Sequence, residues 1–253
     1  MTKTFLIKRS ELERINYSED MLSSDRREKI AKIKRDEDKE LGTCVELLLI
    51  YALRNMQLSM SLPLDIIADD HGKLMLNTTD DRPAVYFNLS HAMDYAACTI
   101  STDGPVGVDI EYFRVREILN PDKILHPDEN TIFAFISNPN EKKKYFYECW
   151  VSKESYLKNL GIGLVVRPSV FMVNEDKLKI NDKEITNNKP RHKSSDNTYL
   201  LEKKYVHVFQ PGEVRGTEWK FDANYRLAVC TNEPDKELYA KELTAEDINS
   251  VLL

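Results

Sequence analysis

The sequence predicts an α+β chain built as two similar α+β halves that divide near Asp103–Gly104. Three observations carry this. Two long stretches have helical patterning, from about Ser24 to Leu53 and from about Glu141 to Leu160. Strand-like runs, short and alternating with period two, follow each of them. DYAACT at 94–99 also echoes NYRLAVCT at 224–231, allowing an insertion, and each run closes one half. Residues 1–103 then form an N-terminal α+β half, and 104–253 a C-terminal half that ends in a tail. At roughly 150 residues per domain, a chain of 253 residues makes one large domain or two small ones.

Taken in order, residues 4–8 are apolar enough for an opening strand. Ser23 or Ser24 can cap the first helix, and neither proline nor glycine interrupts it before Gly42. Its first half is basic (Arg26, Arg27, Lys29, Lys32, Lys34, Arg35), and its second half is apolar and belongs to the core. AVYFNLSH (84–91), AACTIST (96–102) and PVGVDIEY (105–112) read as strands. The second long helix stops at Gly161. Short strand-like runs follow: SVFMVNED, KLKIND, YVHVFQ, EWKFD and YRLAVCT. Residues 181–199 are polar and read as a loop. LTAEDINSVLL is a short tail with Thr244 as a candidate cap.

Composition excludes several function classes. Hydrophobic residues are 42% and charged residues 31%, ordinary for a folded domain. The chain has 8 glycines, few enough to argue against glycine-rich phosphate loops. Neither GxGxxG, a P-loop, HExxH nor GxSxG occurs. A net charge of −6 argues against a general nucleic-acid binder. The longest apolar stretch, near residues 47–53, falls far short of the ~20 residues that span a bilayer. Cys44, Cys98, Cys149 and Cys230 form no CxxC pair and read as small core residues of a cytosolic protein. The N-terminus carries charges where a signal peptide needs an apolar core. The expectation is a cytoplasmic monomer with no nucleic-acid or membrane partner.

What remains is carboxylates, lysines and one histidine. In PVGVDIE (105–111), strand alternation puts Val106, Val108 and Ile110 on one face and Gly107, Asp109 and Glu111 on the other. Two carboxylates side by side repel unless protons or a cation intervene. Such oxygen ligands suit Mg²⁺, which takes one or two carboxylates with phosphate and water. The plainer reading is the solvated edge of a strand.

On the second long helix, Phe146, Trp150, Leu157 and Leu160 share one stripe, and Lys153 falls inside it. Lysine is almost never fully buried unless paired. Glu154 lies at the border of the stripe, with Lys158 at i+4. These two are either a surface ion pair or a third carboxylate facing Asp109 and Glu111, flanked by the ammonium groups of Lys153 and Lys158. Asn88-Leu89-Ser90-His91 ends a strand one short hairpin earlier; a lone histidine there is more often structural than a ligand contact. Gly72-Lys73 is a turn lysine. The basic half of the first helix is by default a solvated face, or else a phosphate contact near a helix N-terminus.

Together these pieces resemble one family. GVDIE at 107–111, followed some forty residues later by WVSKESYLK at 150–158, resembles the signature of 4′-phosphopantetheinyl transferases. SDRREK, GKL, FNLSH and SKESYLKNLGIGL, in this order, are similar to the larger, surfactin-synthetase type; the likeness covers about residues 22–231. It implies a pseudo-dimeric fold of two similar halves. It implies transfer of the phosphopantetheine arm of coenzyme A to a serine of an apo acyl or peptidyl carrier protein, releasing 3′,5′-ADP. By motif position it implies Asp109, Glu111 and Glu154 as ligands of Mg²⁺, with Mn²⁺ as a substitute. Glu154 would also be the base for the serine hydroxyl, with Lys158 and Lys153 neutralising charge. Ser90, His91, Lys73 and Lys158, joined by Arg26 and Lys29, would line the coenzyme A pocket, and Glu129 matches a further recurring carboxylate. Two departures stand out: Leu41 occupies the position where relatives often carry an arginine, leaving Lys39 or Arg35 to rebuild the phosphate grip, and Leu74 follows the lysine of GK where proline is common.

Rival readings are a Mg²⁺-dependent nucleotide phosphohydrolase and a coenzyme A- or carrier-binding module without transfer. The first shares the carboxylates but needs no carrier. The second is disfavoured because Asp109 and Glu154 are both present.

Overall fold

The structure, a computed structural model, describes residues 1–58, 60–77, 84–113, 118, 120–163, 166–173, 178–180, 183–184, 204–210, 213–215, 222–232, 234 and 238–252. The fold is mixed α+β. Its first part contains β1 (Thr2–Lys8), α1 (Ser24–Lys32), α2 (Asp36–Asn55), a small hairpin of β2 (Ile66–Ala68) and β3 (Leu74–Leu76), then β4 (Tyr86–Ala92) and β5 (Tyr95–Ser101). There follow β6 (Val106–Tyr112), α3 (Pro127–Phe135) and α4 (Pro139–Leu160). Further on come β7 (Phe171–Val173), β8 (Leu178–Ile180), β9 (Lys183–Glu184), β10 (Tyr205–Phe209), β11 (Val214–Arg215), β12 (Tyr225–Thr231), β13 (Ala240–Leu243) and α5 (Ala245–Leu252).

The expected single helix from Ser24 to Leu53 is two helices, with Ile33 and Arg35 in extended backbone between them. Charge explains the break. Lys29 and Lys32 close α1, and Asp36, Glu37 and Asp38 open α2. Basic residues suit a helix C-terminus and acidic residues an N-terminus, so the sequence marks an end and a start. Of the polar stretch 181–199, Lys183–Glu184 is a strand paired with β8; the rest lies outside the described residues, as do residues 218–221 of EWKFD. The tail gains β13 before α5. Thr244 and Asp247 cap α5 reciprocally: the Thr244 N–H donates to Oδ2 of Asp247 (3.0 Å), and the Asp247 N–H to Oγ1 of Thr244 (3.3 Å).

A five-stranded sheet has the order β11-β13-β1-β5-β4, and a three-stranded sheet the order β10-β12-β6. In the first sheet the β11–β13 and β13–β1 pairings are parallel, and the β1–β5 and β5–β4 pairings antiparallel. The inner strands β5 and β12 are buried on both faces. One face of β5 (Ala96, Cys98, Ile100) packs under the apolar half of α2. One face of β12 (Ala228, Cys230) packs under α4 with Val151 and Leu157. The opposite faces meet each other: Leu6, Tyr95 and Ala97 pack with Val108, Ile110, Leu227 and Val229. The edges β4 and β6 adjoin, and the N–H groups of Val108 and Ile110 donate to Asn88 Oδ1 (2.9 Å) and Ser90 Oγ (3.3 Å). Side chains of one edge thus satisfy donors that the other edge leaves open.

Helix α4 runs against the Gly107–Asp109–Glu111 face of β6. A Cβ on Gly107 would stand 1.9 Å from the Ser155 carbonyl oxygen and 2.5 Å from the Asn159 nitrogen. Helix backbone fills the place that a side chain at 107 would take. Asn159 completes the contact, its amide donating to the carbonyls of Pro105 (2.7 Å) and Cys230 (3.1 Å). The fully buried face of α4 includes Val151, Ser155, Tyr156 and Asn159, while Phe146, Trp150 and Leu160 are only half-buried. Small and polar residues thus occupy the closest contact, which an apolar stripe does not reveal. Gly107→Ala forces backbone apart and is expected to destabilise the chain by the upper end of ~1–3 kcal/mol. Urea denaturation with an unchanged midpoint would contradict that packing.

Candidate functional site

The alternation in β6 turns Asp109 and Glu111 toward α4, and the 3.6-residue period of α4 brings Trp150, Glu154 and Lys158 to the same place. With Ser90 and His91 from β4 they line a cleft of about 330 Å³. Lys158 Nζ donates to Asp109 Oδ1 (2.7 Å) and Ser90 Oγ (3.0 Å). Ser90 Oγ also donates to Asp109 Oδ1 (3.1 Å). Trp150 Nε1 donates to Glu111 Oε1 (3.1 Å), fixing the more exposed carboxylate of the strand. Trp150 was expected only as a stripe residue; its indole N–H is a site contact.

Two of the three carboxylates keep an open position. Asp109 Oδ2 and Glu154 Oε1 are buried and have no hydrogen-bond partner among the described residues. Burial pushes the Asp109 carboxyl above the usual carboxylate range, against the pull of Lys158 and Ser90. Glu154 is pushed up to about 7, first by burial and then by the negative charge of Asp109. Two desolvated acids, each with one oxygen that accepts no hydrogen bond among the described residues, favour proton or cation uptake. Among the described residues no group of three or more acidic, histidine or cysteine side chains is placed so as to hold a metal ion. The donors are nevertheless those of a hard cation: carboxylate oxygens with open positions and no soft ligand.

A second cavity of about 240 Å³ shares Leu89 and Lys158 with this cleft and is lined further by His71, Lys73 and Phe87. Lys73 lies across the C-terminus of α4, its Nζ donating to the Asn159 carbonyl (2.5 Å), and burial lowers its pKa to about 8. His91 is exposed in the first cleft. Partial loss of hydration, then the cations of Lys158 and Arg26, hold its pKa below the usual histidine value. Arg26 lines neither cavity, and its charge reaches the cleft at His91.

Other expected residues lie elsewhere. Lys153 does not flank the carboxylates. It is 0% exposed and donates to Glu129 and to the carbonyls of Ile124 (2.7 Å) and Pro168 (3.0 Å). Glu129 also accepts the N–H of His126 (2.7 Å) in the capping box of α3. The pair anchors α3 and the chain after α4 to the helix, because a buried ammonium takes the nearest carboxylate and free carbonyls. Lys29 is exposed and paired with Asp25 at 2.7 Å. Leu41 lies on α2 and is buried in the core, so its place is apolar and not a phosphate contact. Lys39 pairs with Asp36 (2.8 Å), and Arg35 stands within 3.8 Å of both Glu37 and Asp38.

Carboxylate oxygens, a lysine, a serine and a histidine thus meet in one cleft at a strand–helix contact, the group types that suit an anionic phosphate ester and a hard cation. A family model of the 4′-phosphopantetheinyl transferase superfamily matches residues 105–230, the stretch that holds Asp109, Glu111, Glu154 and Lys158. The chain belongs to that superfamily, in its Sfp-like type. It is 28% identical over 171 residues to the 4′-phosphopantetheinyl transferase psf-1 of Bacillus pumilus, covering 67% of this chain and 63% of the relative. It is 32% identical over 92 residues to the 4′-phosphopantetheinyl transferase gsp of Aneurinibacillus migulanus, covering 36% of this chain and 38% of the relative. To the 4′-phosphopantetheinyl transferase Sfp of Bacillus subtilis it is 24% identical over 215 residues, 85% of this chain and 84% of the relative. The chain spans less than two thirds of the length of the first two relatives. Among the described residues no helix is long and apolar enough to cross a membrane.

Proposed function

We propose that the chain transfers the 4′-phosphopantetheine arm of coenzyme A to a serine hydroxyl of an apo acyl or peptidyl carrier protein, releasing 3′,5′-ADP. The observation that carries the reading is the pair of unpartnered buried carboxylate oxygens on Asp109 and Glu154, beside Lys158. Asp109, Glu111 and Glu154 would hold Mg²⁺, with Mn²⁺ as a substitute. When bound, that ion polarises the diphosphate and stabilises its developing charge.

The chain's own groups do the remaining work. The serine oxygen attacks the β-phosphorus, and the bond from that phosphorus to the oxygen of the departing 3′,5′-ADP breaks. Glu154 receives the serine proton, directly or through a water. Lys158, held by Asp109 and Ser90, adds fixed positive charge beside the transferred phosphate. Arg26 and His91 bind the 3′-phosphate end, and Lys73 with Phe87 borders the nucleoside cavity. The four free cysteines suit a reducing compartment such as the cytoplasm.

The two-half architecture belongs to the same proposal, with residues 1–103 and 104–253 as its parts. What supports it is a repeated order. β1, α2 and the hairpin β4–β5 give the strand order β1-β5-β4, and β6, α4 and β10–β12 give β6-β12-β10. Tyr95 and Tyr225, which stand at the same place in the two echoing runs, pack ring to ring at 4.8 Å. The late strands β11 and β13 extend the first sheet.

The test is mass spectrometry of several apo-carriers after incubation with the chain, coenzyme A and Mg²⁺. Addition of one phosphopantetheine arm is expected, lost in EDTA and restored by Mg²⁺ or Mn²⁺. Full modification in EDTA would remove the metal. Coenzyme A consumed without any carrier would favour a phosphohydrolase.

A further inference from the structure

Glu46 sits in the apolar half of α2, among Leu47, Leu48 and Leu49, and is 0% exposed. A carboxylate there requires specific partners, and those among the described residues lie at the start of α1. Glu46 Oε1 accepts the Ser23 N–H (2.5 Å), and Oε2 accepts the Ser23 hydroxyl (3.0 Å) and Arg26 Nε (3.2 Å). Ser23 Oγ in turn caps α1 by accepting the Arg26 N–H (3.2 Å). Capping alone needs only the serine. The bond to Nε adds something else, because the guanidinium is planar and its donors form a rigid fork. With Nε on Glu46, the rigid fork turns the terminal nitrogens of Arg26 away from that carboxylate. They make no hydrogen bond among the described residues, and the side chain keeps 16% exposure. Its charge is felt at His91, as is that of Lys158.

We propose that Glu46 is a positioning residue that presents the terminal nitrogens of Arg26 to the 3′-phosphate, and so sets the preference for coenzyme A over its 3′-dephospho form. The proposal rests on the reading of Arg26, His91 and Lys158 as the anion-binding set. A free Arg26 would keep its charge but lose its orientation, so the loss falls on recognition of the phosphate.

The test compares wild type, Glu46→Gln, Arg26→Gln and the double variant, by calorimetry and steady-state kinetics with both nucleotides. Arg26→Gln is expected to raise the KM for coenzyme A about tenfold, the size of one charge-assisted contact. Glu46→Gln is expected to give a rise of about 3- to 10-fold, with binding of the dephospho form unaltered. The double variant should add little to the larger single effect, because the two residues act as one unit. Ser23→Ala removes the cap and leaves the Glu46–Arg26 bond, so it should lower stability and keep the preference. If Arg26→Gln loses the preference while a folded Glu46→Gln keeps it, Glu46 only caps α1 and the proposal falls. If Arg26→Gln keeps the preference, the anion-binding reading itself fails. Should Glu46→Gln not fold, Glu46→Asp withdraws the carboxylate by one methylene, and an unchanged preference in that variant is equally decisive against the proposal.

Discussion

Glu154→Gln is expected to lower carrier modification by at least about 10²-fold, the low end for loss of a general base. Glutamine keeps the shape of the side chain and removes both the proton acceptor and the negative charge. The fold survives, because Glu154 is half-buried and its Oε1 has no partner to lose among the described residues. Stability moves the other way. The Glu154 carboxyl is raised from 4.5 to about 7 on folding, so between those values the folded chain holds a proton that the unfolded chain has released. Stability conferred by that proton is present below about pH 4.5 and is lost as pH rises through 7. At pH 8 without metal, the variant should therefore exceed wild type by on the order of 1–3 kcal/mol, and the gap should close toward pH 5. Chemical denaturation at the two pH values checks both signs. A folded variant with near-normal transfer at saturating Mg²⁺ would defeat the mechanism.

Lys153→Met is expected to cost roughly 3–5 kcal/mol, the price of leaving a buried partner charge uncompensated. Glu129 is 4% exposed and would face the core without its cation. The carbonyls of Ile124 and Pro168 would lose their donor as well. Adding Glu129→Gln should recover part of the loss, since both charges are then gone. Urea denaturation of the single and double variants gives both numbers. A single-variant loss under about 1 kcal/mol would show that the pair does not anchor the helix. The remaining folded fraction should transfer the arm at a rate close to wild type, because the ammonium points away from the cleft.

The site was legible where chemistry depends on local period. Alternation placed Asp109 and Glu111 on one face of β6, and helical spacing placed Glu154 and Lys158 together; the structure joins these to Ser90 and His91. Lys153 was misplaced for a definite reason. Periodicity says that it points inward, not which buried partner it meets, and Glu129 lies 24 residues away. Trp150 and Glu46 were hidden by their apolar surroundings, although an acid inside LGTCVELLLI is itself a signal that a buried carboxylate needs donors. The strands before and after the motif were found because each alternates within a few residues. β13 was not, since it has four residues and pairs with β1 from the far end of the chain. The break between α1 and α2 was written in charge, which a search for glycine and proline passes over.

The central claim is that the open carboxylate positions of Asp109 and Glu154 hold the divalent ion. Titration of the full chain with Mn²⁺ in the presence of coenzyme A, followed by the paramagnetic resonance signal of the free ion, tests it without reference to turnover. The account predicts saturable binding that Mg²⁺ displaces, weakened at least about tenfold in Asp109→Asn and in Glu154→Gln, as expected when a coordinating carboxylate loses its charge. Unaltered Mn²⁺ binding in both variants would contradict it.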